Sequence, residues 1–231
     1  KVIADWQYSL GINMLCPHAM FYSIEGFRKH DAPPAHNYLP NWKHYKKFSD
    51  YIGRISYALR QGTHKARVAL YYPIGAFHSA YSPLYSEGEA RLISDTFDAC
   101  CSLLPKLHLD YDVISDRYLT GCSVEDGHLV IGNEQYDTLI AHSSAIRPGT
   151  RKLIEEFTSG GGKAMILTTN PDFQNLSGGS HIAAHDVDYT KLVSTLKALL
   201  DHQIPGDPII NTLDGGPAED IRYHRRELDQ Q

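Results

Sequence analysis

Residues Gly11–Pro34, GINMLCPHAMFYSIEGFRKHDAPP, bring the thiol of Cys16, the imidazoles of His18 and His30, the phenol of Tyr22, the carboxyls of Glu25 and Asp31 and the cations Arg28 and Lys29 into one short segment. An imidazole both donates and accepts hydrogen bonds, so His18 could hold a sugar hydroxyl or another polar substrate, or serve a structural role. Glu25 and Asp31 are the residue types of a glycosidase acid/base pair, which needs two carboxyls roughly 5 to 10 Å apart. Spacing within one Pro-ended loop does not set that distance, and a solvated polar loop is the alternative. The other motifs are weaker. HIAAH, His181–His185, has the i, i+4 histidines of a metalloprotease helix but Ile182 where the catalytic Glu belongs. SGGGKAMIL lies between a helix and the next strand, the reverse of a phosphate loop, and neither GxxxxGK[ST] nor GxGxxG occurs. A class I amidotransferase-like nucleophile would sit on a tight turn after a central strand, where LIAHSSAIRPG offers only Ser143 and Ser144 without a G-x-S-x-G elbow. No catalytic residue, cofactor or metal site is therefore assigned.

The elements that would position this chemistry follow from periodicity. In KVIADWQYSLG, Val2, Ile3, Trp6 and Leu10 fall on one helical face, with Gly11 placed to end the helix. INMLCPHAM is an apolar run suited to a buried parallel strand, and the reactive loop lies directly after it. Trp42, Tyr45, Phe48, Ile52, Ile55 and Leu59 then recur at helical spacing between a candidate N-cap, Asn41, and a stop, Gly62. A second series begins with the strand of KARVALYYPIG. The helix SEGEARLISDTFDACCSLLPK, the strand LDYDVISD, a small strand plus a parallel one in GHLVIGNEQYDTLIAHSS, the helix RPGTRKLIEEFTSGGG, the strand KAMILTTN and the helix DYTKLVSTLKALLDHQ complete it. Alternation of this kind describes a doubly wound parallel α/β domain of flavodoxin-like type. Ligands in such sheets bind beyond the carboxyl ends of the strands, which is where the loop after INMLCPHAM would lie.

Composition excludes some partners. Of 231 residues, 42% are hydrophobic, enough for a core, and 22 Lys+Arg against 27 Asp+Glu leave a net charge of −5. With no basic run longer than two residues, nucleic acid is not an expected partner. No stretch approaches the roughly 20 apolar residues that cross a bilayer, so no membrane is expected. Cys16, Cys100, Cys101 and Cys122 lack zinc-site or disulfide spacing and read as reduced thiols, which points to a cytoplasmic location. The chain opens at Lys1 inside a helical phrase, and the expectation is a piece of something longer.

DWQYSLGINMLCPHAMFYSIEGFRKHDAPP, followed by PNWKHYKKFSDYIGRISYALRQG and ARVALYYP, resembles the closing part of the catalytic region in large α-L-rhamnosidase-like (family 106-like) glycoside hydrolases. It is similar, more loosely, to glycosidases in which a barrel precedes an amidotransferase-like domain, and YDTLIAHSSAIRPGTRKLIEEFTSGGGKAMIL matches that later domain. The resemblance implies that residues 1–65 are the last helix, strand and helix of a (β/α)8 barrel, 66–205 a flavodoxin-like (class I amidotransferase-like) domain, and 206–231 a connection to a following domain. It places Asn13, His18 and Tyr22 against the sugar and the catalytic carboxylates on earlier strands, with Glu25 and Asp31 outside that role. Implied partners are a carbohydrate substrate through the parent barrel and a second copy through the α/β domain. The isolated segment is expected to be inactive, and Trp6, Trp42, Tyr45 and Phe48 exposed unless covered. Two other readings stand beside this one: a free-standing flavodoxin-like binding or interaction protein, and an amidotransferase-like enzyme, which lacks an identifiable nucleophile.

Overall fold

In the computed structural model the described residues are 1–18, 21, 23–29, 37, 39–84, 88–142, 146–168, 179–183, 210–215 and 218–228. They fall into two units, Lys1–His64 with Arg226–Gln231, and Lys65–Arg225.

The first unit holds α1 (Val2–Ser9), 3-10 turns at Gly26–Lys29 and Trp42–His44, α2 (Tyr45–Leu59), and a two-residue strand β1 (Thr63–His64) paired antiparallel with β10 (Arg226–Glu227). Helix α1 forms where its apolar spacing predicts, yet it packs by the opposite face. Ala4 and Tyr8 are buried, and Val2, Ile3, Trp6 and Leu10 stay exposed. The Tyr8 hydroxyl lies 2.7 Å from Ser56 Oγ and donates to the Ile52 carbonyl at 3.1 Å, which fixes α1 to α2. Tyr51 donates to the Asp5 carboxylate, adding a second tie. Trp42, Tyr45 and Phe48 cover one another, with ring centroids 5.1 and 5.8 Å apart, and are half-buried by that stacking.

Residues 12–18 have no regular secondary structure and are largely exposed, where the apolar run predicts a buried strand. The reason is partnership: a parallel strand is buried only between neighbours that take up its backbone hydrogen bonds. The strands described in this unit are the two-residue pair β1–β10, so Ile12 and Met14 remain in water.

Among its described residues the second unit contains a five-stranded parallel sheet in the order β3-β2-β7-β8-β9, formed by β3 (Tyr111–Ile114), β2 (Val68–Tyr71), β7 (Thr138–His142), β8 (Lys163–Thr168) and β9 (Gly179–Ala183). This is the flavodoxin-like order, and the chain reverses direction across the sheet between β2 and β7. Strands β2 and β7 are buried at every position because helices cover both sheet faces. On one face α4 (Glu89–Lys106) sets Ala99, Cys100, Leu103 and Leu104 against Val68, Leu70, Ile140 and Met165. On the other, α6 (Pro148–Ser159) sets Ile154 and Phe157 against Ala69, Leu139, Ala141 and Ile166. Strand β2 ends at Tyr71, ahead of Pro73, and the short helix α3 (Ile74–Ala80) comes next.

Between the short helix α5 (Asp116–Leu119) and β7 runs a three-stranded antiparallel meander, β4 (Ser123–Glu125), β5 (His128–Ile131) and β6 (Glu134–Tyr136), where one small strand is expected from the sequence. Its turns carry the expected two-residue chemistry. Asp126-Gly127 has positive φ at both positions, 48° and 77°, and Gly132 has φ 61° at the first position of the next turn. Strand β9 includes His181 and Ile182, so HIAAH is not a metalloprotease helix. The expected helix DYTKLVSTLKALLDHQ lies outside the described residues.

Candidate functional site

Asn13 and His18 both lie exposed on the segment without regular structure that succeeds α1. Tyr22 and Asp31 lie outside the described residues. Cys16 is exposed. The carboxylates of Glu25, Asp50 and Asp5 are each held by a near neighbour. Arg28 Nη1 donates to Glu25 Oε2 at 3.1 Å, Lys46 to Asp50 Oδ2 at 2.7 Å, and Asp5 accepts from Lys1 at 3.0 Å and from Tyr51. Hydrogen bonding from Tyr51, ahead of that from Lys1, holds the Asp5 carboxyl below its usual range. Such pairs at i, i+3 and i, i+4 are solvated surface contacts.

The carboxyl edge of the second unit's sheet is the other place to look, because its reversal point between β2 and β7 is where a doubly wound domain opens a crevice. Among the described residues there, Leu70 and Tyr71 of β2, Pro73, Thr96 and Phe97 of α4, and His142 at the end of β7 line a void of about 10 Å³, about what one water needs. The Tyr72 and Phe97 rings meet at 5.0 Å. The Thr96 hydroxyl donates to the Leu92 carbonyl at 2.6 Å, so its proton is committed within α4.

His142 is a site residue that motif and spacing do not single out. It is 4% exposed, and burial pulls its imidazole down to about 4, against a smaller opposing pull from Glu89. At neutral pH it is uncharged. The available signal is its place as the last residue of an otherwise apolar strand, LIAH, one position before Ser143 and Ser144. Those two serines are outside the described residues.

The thiols of this unit are held protonated. Burial pushes Cys100 up to about 12, and burial also raises Cys101 and Cys122. Only a thiolate is an effective nucleophile, and burial disfavours that form at all three. On the adjacent edge Tyr136 donates to Asp112 Oδ2 at 3.0 Å, and burial, then that anion, keep the phenol protonated.

The second unit is thus a parallel α/β domain whose described residues pack closely beside its switch point. No family model matches the sequence, and no curated protein matches it. Among solved structures the chain is similar to a cold-adapted β-galactosidase from Rahnella sp. R3, with 18% identity and a TM-score of 0.42, over 64% of this chain and 21% of that one. The chain spans about a fifth of that protein's length. Among the described residues no helix is long and apolar enough to cross a membrane.

Proposed function

We propose that this chain is a segment of a carbohydrate-active glycoside hydrolase of α-L-rhamnosidase-like kind, in which the α/β unit is an accessory, non-catalytic domain. The observation that carries the accessory role is the close packing of the described residues beside the switch point. A doubly wound domain that binds or transforms a ligand needs an open crevice at its carboxyl edge, whereas among the described residues Tyr71, Phe97 and His142 leave about 10 Å³ between them. Protonated Cys100, Cys101 and Cys122 argue in the same direction.

The glycosidase reading rests on the resemblance of DWQYSLGINMLCPHAMFYSIEGFRKHDAPP, PNWKHYKKFSDYIGRISYALRQG and ARVALYYP to the closing part of such catalytic regions. In this reading Asn13, His18 and Tyr22 hold substrate hydroxyls through their amide, imidazole and phenol, each able to donate and to accept. Hydrolysis takes two carboxyls facing each other across the glycosidic bond. The resemblance puts the acid and base on earlier barrel strands, and within this unit Asp5, Glu25 and Asp50 are tied to Lys1, Arg28 and Lys46. The apolar side chains that α1 exposes, Val2, Ile3 and Trp6, agree with a unit built to be covered by further barrel elements. A homo-oligomer through the α/β domain is part of the proposal. So is a cytoplasmic location.

A second reading, a binding or interaction protein, draws on the exposed Tyr72, Tyr81 and Leu84 around α3. An assay of the 231-residue chain against aryl glycosides separates both readings from a self-sufficient enzyme. No release of the aryl alcohol is expected, and release abolished by His18→Ala would overturn the assignment of catalysis to residues outside the chain.

A further inference from the structure

Helix α4 ends in a Schellman motif with an unusual residue at its centre. The Leu109 amide donates to the Leu104 carbonyl at 2.9 Å and the His108 amide to the Pro105 carbonyl at 3.2 Å, the paired bonds of that motif. The left-handed position between them, which favours glycine, is held by His108 at φ 56°. His108 and Asp126 are the non-glycine residues with positive φ among those described. Asp126 has a turn that calls for it; a β-carbon at position 108 adds only strain to the helix end.

The side chain accounts for the exception. His108 is 7% exposed, and its Nε2 lies 3.0 Å from the Ala218 carbonyl oxygen and 3.1 Å from that of Ile221. Carbonyl oxygens only accept, so Nε2 carries the proton and donates to both, which fixes the tautomer. The two acceptors belong to a turn closed by the Ile221 amide on the Ala218 carbonyl at 2.9 Å, itself tied back by the Ala218 amide on the Ile210 carbonyl at 3.0 Å. The Tyr223 ring stands 6.4 Å from the imidazole. Residues 218–224 have no helix or strand of their own, so isolated contacts such as these, and that of His224 Nδ1 with Asp110 Oδ2 at 3.8 Å, hold them.

We infer that His108 is a latch: the helix end accepts left-handed strain so that one imidazole can hold the strap Ala218–His224 through a shared Nε2–H donor. The strap is the last part of the α/β unit before the chain pairs as β10, and the latch fixes the point from which the chain leaves. Its opening is local and leaves the parallel sheet intact, because the cores under α4 and α6 contain Ala99 to Leu104, Ile154 and Phe157 but nothing of the strap.

Hydrogen exchange on the whole chain, resolved by peptide, tests this. In His108→Gly the left-handed strain is relieved and the donor lost. Strap amides, those of Ala218 and Ile221 included, should exchange at least tenfold faster, while Leu107–Leu109 and strands β2, β7 and β8 exchange no faster than in the wild type. His108→Gln restores an Nε2 donor of similar reach, and its strap should exchange within threefold of the wild type. Unchanged strap exchange in His108→Gly overturns the latch, as does acceleration that spreads through the sheet. Equal release in the Gly and Gln variants also overturns it, since the donor would then not be what holds the strap. If the Gly variant does not fold, the same readings on His108→Asn, which tolerates the left-handed region but reaches less far, decide in its place.

Discussion

Acid should destabilise the α/β unit through one histidine well before its carboxylates titrate. Burial sets His142 at about 4 in the folded protein against an ordinary 6.5 in the unfolded chain. Between those values the unfolded state binds the proton and the folded state refuses it, so stability rises with pH across the window and is lost as pH falls below about 6.5. The full shift corresponds to ~3 kcal/mol, and the share lost between pH 7 and pH 5 is ~2 kcal/mol. For a domain whose total stability is about 5 to 15 kcal/mol that is a large fraction. The assay is urea unfolding, monitored by far-UV circular dichroism at pH 7, 6 and 5, for the wild type and for His142→Leu, which fills the same apolar pocket without titrating. The wild type should lose ~2 kcal/mol more than the variant over this range. Equal losses would refute the reasoning, because they would mean that His142 takes up its proton as readily folded as unfolded.

Packing leads to three further expected outcomes. Iodoacetamide should alkylate the exposed Cys16 in the native protein and the fully buried Cys100 only after denaturation; equal native rates at the two would contradict the burial. Gly127→Ala should cost clearly more than Gly132→Ala in urea midpoints. Both residues have positive φ, worth about 1 kcal/mol each, but a β-carbon at 127 would collide with the Gly160 carbonyl oxygen whereas the one at 132 meets nothing within 4 Å. Tyr8→Phe should destabilise the α1–α2 pair by about 1 kcal/mol through loss of its bonds to Ser56 and Ile52, seen as faster amide exchange in α1; unchanged exchange would mean that Ala4 and the Tyr8 ring hold the helix without the hydroxyl.

The sheet was legible because its strands are short apolar runs separated by helices of clear period. Val68–Tyr71 and Thr138–His142 are buried throughout, as a parallel sheet covered on both faces requires. The same criterion misread INMLCPHAM, since an apolar run states what a strand would want and not whether neighbours exist to pair with it. The β4–β6 meander was only partly visible: its strands are three or four residues long, and its Asp-Gly and Gly-Asn turns signal it better than any alternation does. Strand β9 was missed because Gly179–Ala183 is poor in the β-branched and aromatic residues by which strands are recognised. Its place was set by β8. In α1 the period was right and the buried face wrong, because a helix with apolar residues on two sides cannot say which side this unit covers. The packing beside the switch point could not be read at all: it depends on Phe97 meeting Tyr72 and on Phe97 and His142 lining one void, contacts between residues far apart in sequence.

The measurement that tests the central claim most directly is the hydrolysis of aryl α-L-rhamnosides, with aryl β-galactosides alongside, by the complete product of the reading frame that encodes these residues. The account predicts turnover that falls at least tenfold in kcat/KM with His18→Ala and is unchanged by Cys100→Ser in the α/β unit. Absence of turnover on every glycoside, or turnover lost with Cys100→Ser in a protein that remains folded, would contradict it.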